Sequence, residues 1–255
     1  MKKFIGEIGI KKFMDILSNT TLFPRQSITN DDIEKMWDMC DKLVGSKNEL
    51  NKFSHAINEE NRSVTIRQFL NDTDTEVTLY GNYFIDGRYY KSKFDLCGAS
   101  WDKFMFSGKS NIEKITFDKD IDLSESTDLN AFFLSCTNLK EIIGLENLDT
   151  SAVTIFNSIF KYCSSLKLIN LTSFDTHNAE NMSCLFMGCQ SLVDIQGIEN
   201  FVFEQPVNIS SLFTDCKSLN NDTIKRIEKM KVNSNVNNTN YLFTGCDSIT
   251  SLDLT

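Results

Sequence analysis

The stretch Asn181-Met-Ser-Cys-Leu-Phe186-Met-Gly-Cys189-Gln-Ser-Leu192-Val-Asp-Ile195 sets a phenylalanine, a cysteine, a leucine and an isoleucine at intervals of three residues. The same order recurs along the second half of the chain. Phe133/Cys136/Leu139, Phe160/Cys163/Leu166, Phe213/Cys216/Leu219 and Phe243/Cys246/Ile249 repeat it, with successive phenylalanines 27, 26, 27 and 30 residues apart. Counting back a further 27 residues reaches Phe106, where Phe-Ser-Gly-Lys-Ser-Asn-Ile112 keeps the frame but carries Lys109 in place of cysteine. The array is therefore expected to begin near residue 101. Most copies add another apolar residue three beyond the leucine position: Ile115, Ile142, Ile169, Ile195 and Leu252.

One unit of this size cannot bury its own apolar face, so the copies must stack and share a core. The spaced Leu and Ile resemble the strand-forming part of a leucine-rich repeat, whose unit of about 20 to 29 residues brackets the period. The expected fold class is α/β: a leucine-rich-repeat solenoid over residues 101–255 with about five to six coils. Short parallel strands would run along one side and a helical or irregular return along the other. A helical and small β-hairpin region would precede it over residues 1–100. Cysteine at a ladder position is expected to behave as a small buried hydrophobe. Zinc needs cysteine or histidine pairs two to four residues apart. Cys184 and Cys189 miss that spacing, so reduced structural thiols are expected, with no metal and no cofactor.

The copies are unequal. In the fourth, Asp222 stands where the apolar residue belongs, and Ile224, Ile227 and Met230 follow at helical spacing behind an Asn221/Asp222 cap. An extra helical turn is expected there. The last copy ends at Ser-Leu-Asp-Leu-Thr255 without a polar capping repeat, which predicts that an oligomer, an assembly or a neighbouring protein covers the C-terminal coil.

Before the array, Thr29 to Gly45 opens with cap-type residues and places Ile33, Met36, Trp37, Cys40 and Leu43 on one helical face, with Gly45 as a stop. Helices are predicted over about 4–17, 30–44 and 48–58, the last from the weaker stripe Leu50, Phe53, Ile57. A β-hairpin is predicted over about 77–92, turning at Asp86-Gly87. Asp72, Asp74 and Glu76 alternate as in a calcium loop. The glycine and distal glutamate of an EF-hand are missing, so the segment reads as a solvated turn.

With 255 residues, 41% of them hydrophobic, the chain can bury a real core without disulfide staples. Its 26 Lys and Arg against 35 Asp and Glu give a net charge of −9, which disfavours nucleic acid as a partner. Glu7, Lys11, Lys12 and Asp15 interrupt any apolar signal core, and no apolar run approaches the roughly 18 residues of a membrane span. Synthesis in the cytoplasm without membrane insertion is expected, with reduced cysteines. The final location is then cytoplasmic or in a virion, ahead of the cell surface.

The strings Leu145-Glu-Asn-Leu-Asp-Thr-Ser-Ala-Val-Thr154, Phe174-Asp-Thr-His-Asn-Ala-Glu-Asn-Met-Ser-Cys-Leu-Phe-Met-Gly-Cys189 and Leu242-Phe-Thr-Gly-Cys-Asp-Ser-Ile-Thr-Ser-Leu-Asp-Leu254 resemble the BspA-like leucine-rich repeats, in the variant of bacterial surface proteins and mycoplasma lipoproteins. The resemblance covers about residues 104–255. It implies a binding scaffold, often for adhesion or host proteins, with no catalytic residues to carry over. The export signal or lipobox of surface members is not recognisable here, and the first 100 residues show no such resemblance.

An enzyme is not expected. Only His55 and His177 could serve as a neutral general base, both read as ordinary surface or edge histidines, and no phosphate loop, G-x-S-x-G or H-E-x-x-H is present. The leading reading is a non-catalytic scaffold that docks a protein partner through residues flanking the strands: Lys140, Glu141, Lys167, Asn170, Asp194 and Gln196. The alternatives are a virion (phage particle) component anchored by its N-terminal region, a surface adhesin, and a cytoplasmic regulator or inhibitor docking one partner.

Overall fold

The computed structural model describes residues 45–86, 88–94, 105–119, 121–123, 126–230 and 232–251. The helices predicted over 4–17 and 30–44 lie outside the described residues. Gly45, expected to stop the second helix, begins β1 (Gly45–Ser46). The chain continues through α1 (Lys47–Leu50), β2 (Phe53–Asn58), β3 (Ser63–Phe69), β4 (Glu76–Leu79), β5 (Asn82–Ile85) and β6 (Arg88–Phe94). Then come β7 (Lys114–Phe117), β8 (Glu141–Ile143), β9 (Leu168–Asn170), β10 (Asp194–Gln196), β11 (Val207–Asn208), α2 (Asn221–Glu228) and β12 (Val236–Asn238). The described residues are thus rich in short strands and poor in helix.

The helix predicted over 48–58 is corrected. Ser46 caps only the single turn of α1, accepting the Glu49 N–H at 3.2 Å, and the chain then enters β2, antiparallel to β3. The Leu50, Phe53, Ile57 stripe was a coincidence of spacing: Phe53 is buried against Phe69 and Phe106, with ring centroids 5.2 and 6.4 Å away, whereas Ile57 is exposed. Long-range aromatic burial outweighs local helix propensity here. β1, β5, β6, β3 and β2 form one sheet in that order. Its antiparallel β5–β6 hairpin turns through Asp86 at φ 48°, the left-handed conformation such a turn requires. The hairpin is shorter than the predicted 77–92, because β4 leaves it to pair in parallel with β7.

That pairing carries the stack of coils back across residue 101. Phe69 donates its N–H to the Met105 carbonyl at 2.9 Å, and its ring lies 5.5 Å from that of Phe106. Phe69 therefore occupies the phenylalanine rank of an earlier coil. The rings then climb in near-parallel planes: centroids are 5.8 Å apart for Phe106–Phe133, 5.4 Å for Phe133–Phe160, 5.7 Å for Phe160–Phe186 and Phe186–Phe213, and 5.3 Å for Phe213–Phe243. Ring planes in these five pairs differ by 15° or less, an offset-stacked column.

The backbone that carries the rings has its own repeat. Residues two before and two after the phenylalanine take positive φ in each full coil: Ala131 and Ser135, Ser158 and Tyr162, Cys184 and Gly188, Ser211 and Asp215, Tyr241 and Gly245. A left-handed conformation costs a non-glycine residue roughly 1–2 kcal/mol. The compensation is that alternate N–H groups point at the next coil. Leu129, Ala131, Phe133 and Ser135 donate to the carbonyls of Ile155, Asn157, Ile159 and Lys161 at 2.8–3.0 Å, and the coils of Phe160, Phe186 and Phe213 repeat the pattern. Side-chain ladders join it: Asn181 and Asn208 each accept the N–H two residues on, from Ser183 and Ser210, at 3.0 Å.

On the strand side, β4, β7 and β8 form a parallel sheet and β9 pairs with β10. Gly197, after β10, has φ 86°, and a Cβ there would lie 2.5 Å from the Thr172 backbone nitrogen, so this close approach admits only glycine. In the fourth coil, α2 replaces the strand. Its cap is Asn220, one residue before the predicted pair, accepting the Thr223 N–H at 2.8 Å.

Candidate partner-binding surface

The cysteine rank is more than a small apolar plug. Each thiol donates to the phenylalanine carbonyl of the preceding coil: Cys136 to Phe106 at 3.1 Å, Cys163 to Phe133 at 3.1 Å, Cys189 to Phe160 at 3.0 Å, Cys216 to Phe186 at 3.2 Å and Cys246 to Phe213 at 2.9 Å. Burial pushes the Cys136 and Cys189 thiols up to about 12 and Cys246 up to about 11, and raises Cys163 and Cys216 as well. All five are protonated donors at neutral pH. Where the rank lacks cysteine, Lys109 and Asp72 form an ion pair between adjacent coils. Asp74, at the leucine rank of that first coil, is bridged to Lys52 at 2.7 Å. Two of the three carboxylates of the segment read as a solvated turn, Asp72 and Asp74, are thus engaged by lysines.

With the ladders occupied by packing, the outward side of the strands is what remains for a partner. Four of the six predicted contact residues sort into two ranks. Glu141 and Asp194 share one outward rank with Glu76, Lys114 and Leu168, while Asn170 and Gln196 share the other with Thr78, Thr116 and Ile143. Lys140 and Lys167 stand one residue before their strands. The structure brings several into fixed pairs: Lys140 with Glu113 at 2.9 Å, Glu141 with Lys114 at 3.3 Å, and Asp194 with Arg226 of α2. Asn170 accepts the Thr172 N–H at 3.1 Å and so shapes its own turn. Lys167 and Gln196 are exposed, and Lys167 makes no ion pair with any described residue.

Two apolar residues on this face escaped the sequence reading. Ile143 is 40% and Leu168 63% exposed, on the adjacent coils of β8 and β9. The signal was available: Lys114, Glu141 and Asp194 fill the rank where Leu168 stands, so an apolar residue there is the exception.

The histidines lie elsewhere. His55 sits on β2 with its Nδ1 2.9 Å from the Phe53 carbonyl. His177 is exposed, with Nδ1 2.6 Å from Asp175 Oδ1 and Nε2 3.7 Å from Glu204. The hydrogen bond His177 donates to Asp175, then the charge of that carboxylate, raises the His177 pKa above 6.5, and the His177 backbone N–H together with its ring lowers that of Asp175. A cavity of about 450 Å³ is lined by Lys91, Lys119, Asp122 and Asp149, and Lys91 and Asp122 pair at 2.8 Å. Among the described residues no three metal-ligating side chains converge, and no helix is long and apolar enough to cross a membrane.

Residues 102–227 match the model of a family described as Mycoplasma protein of unknown function, DUF285. That attribution agrees with the mycoplasma variant of the repeat to which the sequence strings are similar. No curated protein matches the chain. Among solved structures, a Treponema pallidum leucine-rich repeat protein is similar at 15% identity and a TM-score of 0.36, over 71% of this chain and 94% of that one. A leucine-rich cell surface protein of Faecalibacterium prausnitzii shares 14% identity at a TM-score of 0.35, over 66% of this chain and 52% of that one. A leucine-rich repeat protein of Bacteroides ovatus shares 16% identity at 0.36, over 66% and 45%.

Proposed function

We propose that residues 69–251 form a solenoid of the leucine-rich-repeat type that serves as a non-catalytic scaffold for protein binding. The observation that carries this reading is the division of labour within each coil. Ring column, thiol ladder and cross-coil amide bonds all use inward or axial groups, so the outward strand ranks are left to differ from coil to coil on a fixed backbone. Lys114, Glu141, Leu168 and Asp194 stand successively at one such rank, a cation, a carboxylate, an apolar side chain and a second carboxylate on a common spacing. Such a surface suits recognition of a protein rather than catalysis, since nothing on it pairs a nucleophile with a base.

The test is site-specific photocrosslinking in the native cell. A benzophenone amino acid at Glu141 or Gln196 is expected to give discrete protein adducts, while the same group at Glu180, exposed on the separate ladder that leads to β11, gives none. Equal adduct patterns from all three positions, or none from the strand positions, would overturn the scaffold reading.

A further inference from the structure

The strand side of the stack is interrupted. β4, β7 and β8 belong to one sheet and β9 and β10 to another, and no bridge joins β8 to β9. The carbonyls one residue before the strands show what is missing. Thr75, Glu113 and Lys167 each accept two N–H groups from the next coil at 2.7–3.2 Å, and the Val193 carbonyl accepts the Asn220 N–H at 3.0 Å. Among the described residues, the Lys140 carbonyl at that same rank receives no backbone N–H. The two coils nevertheless remain in contact at the ring column, where Phe133 and Phe160 lie 5.4 Å apart. The opening is confined to the strand side.

The side chains at this opening differ from those beside it. Ile143 and Leu168 present exposed apolar surface from its two sides. In the preceding coils the charges are matched, Lys114 by Glu141 and Lys140 by Glu113, and in the following coil Asp194 is held by Arg226. Lys167, adjacent to Leu168, is an exposed cation without an ion-pair partner among the described residues. The far edge of β10, by contrast, is covered by α2: Ile195 donates its N–H to Thr223 Oγ1 at 3.3 Å, and Arg226 Nε donates to the Ile195 carbonyl at 3.2 Å.

The geometry points to the notch between β8 and β9 as a docking site for an extended, acidic segment of a partner protein. An apolar side chain of that segment covers Ile143 and Leu168, a neighbouring carboxylate pairs with Lys167, and a backbone N–H reaches the Lys140 carbonyl. An extended segment fits better than a helix, because a helix spends its N–H groups internally. The proposal rests on the scaffold reading and narrows it to one place and one chemistry.

The experiment selects displayed random dodecapeptides on the full chain and measures binding of the enriched peptides to Leu168→Glu and Lys167→Glu. Glutamate already stands at the Leu168 rank in β8, as Glu141, and at the Lys167 rank before β7, as Glu113, so both variants are expected to melt with the native chain. The expected peptides carry Asp or Glu within two residues of Leu, Ile, Val or Phe, and each substitution weakens them about tenfold or more, as loss of an anchor does. Absence of enrichment, enriched peptides without that pattern, or binding indifferent to both substitutions would overturn the notch. Photocrosslinked adducts from Glu141 and Gln196 that persist in Leu168→Glu would sink the notch and leave the scaffold standing. Their absence in the native chain would remove the scaffold itself.

Discussion

Truncating the centre of the ring column gives the most direct measure of what holds the coils together. Phe186 has no exposed surface and lies between Phe160 and Phe213, 5.7 Å from each, with ring planes 5° and 10° from parallel. Phe186→Ala removes the buried ring and leaves a cavity that two neighbouring coils cannot both close. The expected loss is about 3–5 kcal/mol, the range for fully buried Phe→Ala changes. Within it, each lost ring pair accounts for about 0.5–1.5 kcal/mol. Phe243 supplies an internal control. It is half-buried and stacks on Phe213 alone at 5.3 Å, so Phe243→Ala should cost roughly half as much. Urea unfolding followed by circular dichroism and by tyrosine fluorescence measures both, and agreement between the probes licenses a single free energy. A Phe186→Ala loss below about 1 kcal/mol, or equal losses at the two sites, would refute a continuous buried column.

Iodoacetamide labelling at pH 8, mapped by mass spectrometry, should leave Cys136, Cys163, Cys189 and Cys216 unmodified until denaturant is added, because burial holds their thiols protonated and covered. Cys246, raised less and 7% exposed, should react before them, and native labelling of the inner four at the unfolded rate would contradict the ladder. Lys109→Cys should restore the missing rank, with its thiol protected like the others and stability within about 1 kcal/mol of native, since a surface-facing ion pair with Asp72 contributes little. A new thiol that labels freely would show that the first coils do not share the geometry. The His177 ring should titrate by NMR above 6.5 and return towards it in Asp175→Asn. With the His177 pKa raised and that of Asp175 lowered, the pair adds stability between their ordinary values. That contribution fades as pH rises through the folded His177 pKa, or falls through the folded Asp175 pKa.

The inward ranks were legible because each repeats one residue type at one spacing, and Phe, Cys and Leu at three-residue intervals need only counting. The first coil was not. Between Phe69 and Phe106 the chain inserts the β5–β6 hairpin, which lengthens the interval to 37 residues, and Asp72 and Asp74 replace the cysteine and leucine that mark the frame. Charged pairs took over ranks that elsewhere are apolar, so a pattern of hydrophobicity could not see them. The left-handed residues on either side of each phenylalanine were equally hidden. Ala131, Ser158 and Tyr162 are not residues that announce positive φ, and what holds them there is the amide ladder to the next coil, a tertiary cause. On the strand face three of the predicted residues are taken up by charged neighbours, Lys140 by Glu113, Glu141 by Lys114 and Asp194 by Arg226, while the informative side chain, Leu168, carries no polar or ladder signature that would single it out.

The choice of cysteine follows from the same ladder. In a central coil the phenylalanine carbonyl has two lone pairs to satisfy away from water: at Phe186 the N–H of Cys189 takes one at 3.0 Å and the thiol of Cys216, one coil later, takes the other at 3.2 Å. Alanine or valine at that rank would fill space but supply no donor, and serine would supply the donor at a higher cost of burying a hydroxyl. A thiol is apolar enough to be fully buried and still carries one proton to give. That double use ties each coil to its neighbours through the interior alone. The stack therefore tolerates Lys, Glu, Leu or Asp on the outward rank, and a single apolar substitution there, beside an unmatched lysine and an unclaimed carbonyl, can make a binding site without disturbing the core that supports it.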